Sequence, residues 1–192
     1  AIALYLGIVP EGKEQLVADK LCEVVRANNH FLDFGLLGSK SVPAMLTRYG
    51  YVEDAMKMIT KTEAPSWGYW VETMGYTTLP ETWTLSPQFR DASLNHVFMG
   101  DVSAWMMNQL AGINYDAAGP GFRHILITPH FVEGMDWAKG EYHSVRGLIS
   151  SQWKREGGKV TLTVTIPSGC TADIRVGDKT ETVGSGTYVN TY

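Results

Sequence analysis

Up to about residue 117, apolar residues recur every three or four positions; beyond the stretch A-A-G-P-G-F they recur every second position. In residues 13–27, Val17, Leu21, Val24 and Val25 fall on one stripe, the spacing of an amphipathic helix. Ser41 precedes an apolar run with Pro43 close behind it and Gly50 at its end. That order of start and stop residues predicts a helix capped by Ser41. Val52, Ala55, Met56 and Ile59 form a third stripe, and Phe98, Val102, Trp105, Met106 and Leu110 a fourth, closed by Gly112. In the second part, Val160, Leu162, Val164 and Ile166 alternate with Thr161, Thr163 and Thr165, as in a half-buried antiparallel strand. The run I-S-S-Q-W-K-R-E-G-G-K-V-T-L-T-V predicts a hairpin turning at Gly157-Gly158. H-I-L-I-T-P, A-D-I-R-V and G-T-Y-V-N-T-Y supply further strands. The pattern predicts an all-α part followed by an all-β part, with domains 1–118 and 119–192.

The helical stripes are separated by long connections rich in glycine and aromatic residues. The longest, Gly75 to His96, has no periodicity of its own. Irregular connections beyond about 12–15 residues are uncommon in compact domains and are usually functional or disordered. This one is not composed like a disordered tail, because Trp67, Trp70 and Trp83 crowd around it with Tyr69 and Tyr76. Aromatic faces stack on the C–H faces of sugars and lower the dielectric around a nearby carboxylate. Glu81, held behind Pro80, is therefore a candidate for acid–base chemistry, set against its reading as a surface charge. His96 opens the next helical stripe, as a capping or packing residue or as a partner for a substrate hydroxyl. The rival acids are Asp33, Asp91 and Asp101. Asp33 lies in the other glycine-rich connection, Asp91 suits a helix-entry cap, and Asp101 suits the positive end of a helix dipole. His30, His124, His130 and His143 are read as structural or exposed.

Composition narrows the partners. Hydrophobic residues make up 44% and charged residues 19%, as in a well-packed globular chain. A formal net charge of -4 offers nothing to a nucleic acid, and the apolar runs fall short of the ~18–20 residues that span a bilayer. No nucleic-acid or membrane partner is expected. Cys22 and Cys170 lie in segments of different character, so no disulfide is expected between them. With no C-x-x-C or H-E-x-x-H spacing, neither a metal nor a cofactor is expected. G-x-S-x-G is absent, and G-L-L-G-S-K is too short for a phosphate-cradling loop. The chain opens A-I-A-L-Y-L-G-I-V-P, an apolar helical pattern already under way, and reads as a portion of a longer protein.

Four segments in combination carry a resemblance: P-S-W-G-Y, T-T-L-P-E-T-W, S-L-N-H and L-I-S-S-Q-W. Together they resemble the C-terminal portion of bacterial α-L-rhamnosidases of the inverting, (α/α)6-barrel type, over nearly the whole chain. The resemblance implies the C-terminal part of an (α/α)6 toroid followed by an antiparallel β-sandwich. It implies hydrolysis of terminal α-L-rhamnosyl residues with inversion, Glu81 being the general base that activates water. His96 would contact the sugar and help set the base, and Trp83 and Trp67 would line the apolar side of the rhamnose pocket. Inverting enzymes need two carboxyl groups about 6.5–9.5 Å apart. The resemblance puts the general acid upstream and outside this chain, which by itself would be inactive. Around the base the family commonly carries Trp-Glu-Arg-Trp, where this chain has Pro80-Glu81-Thr82-Trp83, a difference that bears on rhamnose specificity. Two other readings stay open: a non-catalytic carbohydrate-binding relative, and an inverting (α/α)6 hydrolase acting on another sugar. So few helices cannot close a toroid, so an exposed apolar face, a homodimer or cover by the β-sandwich is expected. In the β-part, Trp137 and Trp153 are candidates for a second sugar contact, although Trp153 shares a strand face with Ile149 and so suits the core.

Overall fold

The three- and four-residue spacing folds as helices: α1 (Ile2–Tyr5), α2 (Glu14–Ala27), α3 (Leu36–Arg48) and α4 (Val52–Thr60). The computed structural model describes residues 1–83 and 92–192, and these divide into two units, Ala1–Ala104 and Trp105–Tyr192. In the first unit Leu4, Ala18 and Met45 are buried together, with Val17, Leu21, Tyr49 and Tyr51 packed against them. The buried line of α2 is Ala18, Cys22 and Val25, whereas Val24 is 57% exposed. Apolar side chains of the first three helices also face outward, among them Ile2, Leu16 and Leu37.

Ser41 does not cap α3. The helix starts earlier, at Leu36, and the Ser41 hydroxyl donates to the carbonyl of Leu37 at 2.9 Å. A serine inside a helix satisfies its hydroxyl this way, and here both Ser39 and Ser41 are buried. Pro43 is an interior residue of the same helix and lacks the N–H that would meet the carbonyl one turn back. The fourth stripe is likewise only partly α-helical. A short α5 (Asp101–Trp105) passes into a π-helical turn, Met106–Leu110, and Phe98 lies outside both and is half-exposed. The wider π turn resets which residues face inward, so Leu110 is buried while Met106 is partly exposed.

The second unit holds eight strands: β1 (Ile113–Tyr115), β2 (His124–Ile127), β3 (Trp137–Ser144), β4 (Gly147–Glu156), β5 (Lys159–Ile166), β6 (Thr171–Val176), β7 (Lys179–Val183) and β8 (Gly186–Thr191). They form two four-stranded sheets, in the orders β1-β2-β6-β7 and β3-β4-β5-β8. The first sheet takes in Ile113–Tyr115, ahead of the A-A-G-P-G-F turn. It also corrects the expectation of a wholly antiparallel β-region, because β2 and β6 run parallel. The connection between them passes through all of β3, β4 and β5, long enough for the crossover a parallel pair requires. The second sheet is antiparallel throughout. Its β4–β5 hairpin turns at Gly157 (φ 55°) and Gly158 (φ 79°), the two left-handed residues of a type I′ turn. Alternation then buries one face of each sheet. Ile125, Ile127 and Ile174 on one sheet and Ile149, Trp153 and Leu162 on the other are 1% exposed or less. Each such side chain stabilises the unit by about 1.5–3 kcal/mol. Trp153 is a core residue, its indole N–H donating to the Leu110 carbonyl at 2.8 Å, and Trp137 is 61% exposed.

Candidate active site

The long connection is closed at its root by its own backbone. The His96 N–H donates to the Leu79 carbonyl at 2.8 Å, and the Glu81 N–H to the Ser93 carbonyl at 2.8 Å. The Thr78 hydroxyl adds a bond to the Leu94 carbonyl at 2.7 Å. Two limbs, 78–81 and 93–96, are thereby zipped side by side. Pro80 sits buried between two of these rungs, where its missing N–H costs nothing. Glu81 closes the last rung twice, because its Oε2 also accepts the Ser93 N–H at 3.0 Å. This single bond fixes the carboxylate by one oxygen. Among the described residues Oε1 takes no hydrogen bond. Asp91 lies outside the described residues.

His96 stands on the opposite limb from Glu81. Its Nδ1 accepts the Phe98 N–H at 3.3 Å, and its ring packs against that of Phe98 at 5.4 Å. A neutral imidazole that accepts at Nδ1 carries its proton on Nε2. That nitrogen is therefore a donor suited to a hydroxyl oxygen. A cavity of about 320 Å3 borders the first limb, lined by Tyr76, Thr77, Thr78, Pro80 and Leu94.

Beside Glu81 the aromatic residues form one cluster. Trp83 stacks on Trp70 with ring centroids 4.5 Å apart and planes at 21°. It meets Trp67 and Phe34 edge-on at 5.1 and 5.8 Å. Its indole N–H donates to the Phe34 carbonyl at 2.6 Å. Trp67, expected in the sugar pocket, is 3% exposed, and its indole N–H is committed to the Met99 carbonyl at 3.0 Å. Trp83 remains half-buried and keeps part of its surface accessible. Glu81 and His96 thus stand on one pair of limbs, and Trp83 follows Glu81 by two residues, stacked on Trp70 and edge-on to Trp67.

The rival acids have other surroundings. Asp33 is exposed, next to Phe34. Asp101 begins α5 and is reached by the Lys40 ammonium at 3.3 Å. The sequence reading missed Phe34 as a member of the aromatic cluster. It also missed Asp54, a buried carboxylate in α4 that accepts hydrogen bonds from Arg26 Nε and Nη2 and meets His30 Nε2 at 2.8 Å. Hydrogen bonds from Arg26 hold the Asp54 carboxyl well below the usual carboxylate range, against the opposing effect of burial. Its signal in the sequence was an acid set between the apolar positions Val52, Ala55 and Ile59 of one short helix. Among the described residues no cluster of histidine, cysteine or acidic side chains could hold a metal ion.

Comparison with known proteins places the chain in a family. Residues 1–110 match the bacterial alpha-L-rhamnosidase 6 hairpin glycosidase domain, and residues 112–189 match the bacterial alpha-L-rhamnosidase C-terminal domain. An alpha-L-rhamnosidase of Streptomyces avermitilis is 30% identical over 179 residues, covering 90% of this chain and 17% of that protein. One from Formosa agariphila is 27% identical over 176 residues, covering 90% of this chain and 18% of its own length. The chain spans 17–19% of the length of the curated relatives it matches. Among solved structures, the S. avermitilis alpha-L-rhamnosidase complexed with L-rhamnose superposes with a TM-score of 0.89 at 27% identity, over 99% of this chain and 21% of that one. The native enzyme from Aspergillus terreus gives 0.90 at 26% identity, over 98% and 23%.

Proposed function

The chain belongs to the bacterial α-L-rhamnosidase family, and on that premise we propose that it supplies the general base of an inverting enzyme that hydrolyses terminal α-L-rhamnosyl residues. The observation that carries this reading is Glu81, fixed through Oε2 by the Ser93 N–H while Oε1 faces no donor among the described residues. In this reading Oε1 takes a proton from a water, which attacks the anomeric carbon on the face opposite the leaving group. A base fixed through one oxygen keeps the other directed at that water, which is the geometry general-base catalysis needs.

His96 donates from Nε2 to a sugar hydroxyl and so aligns the ring for attack. Trp83 presents its accessible part to the apolar side of the sugar, where rhamnose carries a methyl group in place of a hydroxymethyl. Trp67 supports this from below by holding the position of Trp83 rather than by meeting the sugar. The proton for the leaving group comes from a carboxyl group elsewhere in a full-length enzyme, about 6.5–9.5 Å from Glu81. Further helices of the same barrel cover the outward apolar side chains of α1, α2 and α3. By itself the 192-residue chain is inactive.

The test compares wild type, Glu81→Gln and Asp33→Asn in the full-length enzyme on an aryl α-L-rhamnoside and a panel of other aryl glycosides. Glu81→Gln lowers kcat by about 10²–10⁴-fold, whereas Asp33→Asn stays within a few-fold of wild type. Full activity in Glu81→Gln, or a preference for another sugar, overturns the reading.

A further inference from the structure

A carboxylate outside the proposed chemistry is bonded to the turn that precedes Phe34. Asp54 lies in the first turn of α4 and is 4% exposed. Arg26 donates to it from Nε and Nη2, both at 2.8 Å, a two-pronged grip that fixes orientation as well as distance. His30 Nε2 meets Oδ1 at 2.8 Å. Burial together with the Asp54 charge pushes the nearby Cys22 thiol up to about 11. One side chain therefore joins α4 to the last turn of α2 and to the turn that follows it.

That turn is strained. Asn29 (φ 49°) and His30 (φ 60°) are both left-handed, a conformation that residues other than glycine hold only where their surroundings impose it. Here the His30 N–H is taken by the Val25 carbonyl at 2.9 Å, and its ring by Asp54. The chain then runs without regular structure through buried Leu32, whose N–H donates to the Pro65 carbonyl at 3.1 Å. Two residues later the Phe34 carbonyl accepts the Trp83 indole. Trp83 is itself two residues from Glu81.

We propose that Asp54 is a positioning residue for the Glu81 limb: by holding the His30 turn it sets the Phe34 carbonyl on which Trp83 is anchored. The effect on rate rests on the reading of Glu81 as base; the effect on the place of Trp83 does not. The connection is mechanical and runs through a single strand of backbone, so releasing its fixed end lets the Phe34 carbonyl move. An anchor that moves takes the Trp83 ring out of register with Trp67 and Trp70.

Circular dichroism reads this directly. Trp83 lies 5.1 Å from Trp67 at 87° and 4.5 Å from Trp70 at 21°, close enough for their indole transitions to couple. In the 192-residue chain, Trp83→Phe defines the part of the coupled signal that belongs to Trp83. Asp54→Asn is expected to lose more than half of that part. His30→Ala loses a similar share, and His30→Gln, which returns a donor to Asp54, recovers it. Should Asp54→Asn fail to fold, the His30 pair decides, since that ring is 21% exposed and peripheral to the core. In the full-length enzyme, Asp54→Asn lowers kcat about 10-fold with KM nearly unchanged, as expected for a misplaced catalytic group. A full Trp83 signal in Asp54→Asn and His30→Ala overturns the proposal, whatever happens to the rate. If wild type does not hydrolyse rhamnosides, the Glu81 reading fails while the coupled signal still decides the role of Asp54.

Discussion

Replacing Trp83 by phenylalanine removes one donor and part of one ring from the cluster beside Glu81. The lost bond is the one from its indole N–H to the Phe34 carbonyl at 2.6 Å. Such a bond contributes about 1 kcal/mol net, and the carbonyl it leaves behind is half-buried. The stack on Trp70 at 4.5 Å shrinks to a phenyl contact, and aromatic pairs contribute about 0.5–1.5 kcal/mol beyond their buried area. Losing the bond and much of one pair costs roughly 2 kcal/mol. At a urea dependence of about 2 kcal/mol per molar, the midpoint falls by about 1 M. The helical band in far-ultraviolet circular dichroism is the assay, because α1 to α4 all lie within Ala1–Ala104. The β-unit, followed through the buried Trp153, keeps its midpoint. A helical midpoint that moves by less than about 0.2 M refutes the claim that the Phe34 carbonyl anchors Trp83.

Two further outcomes follow from the same unit. Because Arg26 depresses the Asp54 carboxyl, its contribution to stability is complete above the unfolded value of about 3.9 and fades as pH falls below it. Asp54→Asn therefore costs about 3 kcal/mol at neutral pH, and the gap to wild type narrows in urea midpoints taken between about pH 5 and pH 2; a gap independent of pH contradicts this. Gly68→Ala places a Cβ 2.6 Å from the Lys61 carbonyl oxygen and 2.8 Å from Thr60 backbone atoms. Backbone cannot yield as a side chain does, so thermal unfolding of the helical unit shows a loss of about 1–3 kcal/mol, and an unchanged melting temperature refutes the contact.

How much of this was legible in the sequence depends on the range of the interaction. The Val160–Ile166 alternation and the Gly157-Gly158 turn are local, and both appear where the pattern puts them. The parallel pairing of β2 with β6 is set by packing across distant segments, which no local pattern records. Ser41 carries the chemistry of a cap, but the helix begins at Leu36 and the serine is drawn inside it. Phe34 closes over Gly38, where a Cβ would sit 2.5 Å from the Phe34 Cβ. At the site, Glu81, Trp83 and His96 stood out through the crowding of aromatic residues and the family resemblance. The rung from Ser93 to Glu81 joins residues 12 apart, and His30 reaches Asp54 across 24. Neither separation matches a helix or strand period, so the structure was needed to find them.

The central claim is that Glu81 serves as base in a single displacement, and the product anomer tests it most directly. The full-length enzyme is mixed with an aryl α-L-rhamnoside, and the first-formed sugar is read by proton NMR before mutarotation. β-L-rhamnose appearing first, and vanishing in Glu81→Gln, is the predicted result. α-L-rhamnose appearing first contradicts it, since retention requires a covalent intermediate and carboxyl groups only about 5–5.5 Å apart.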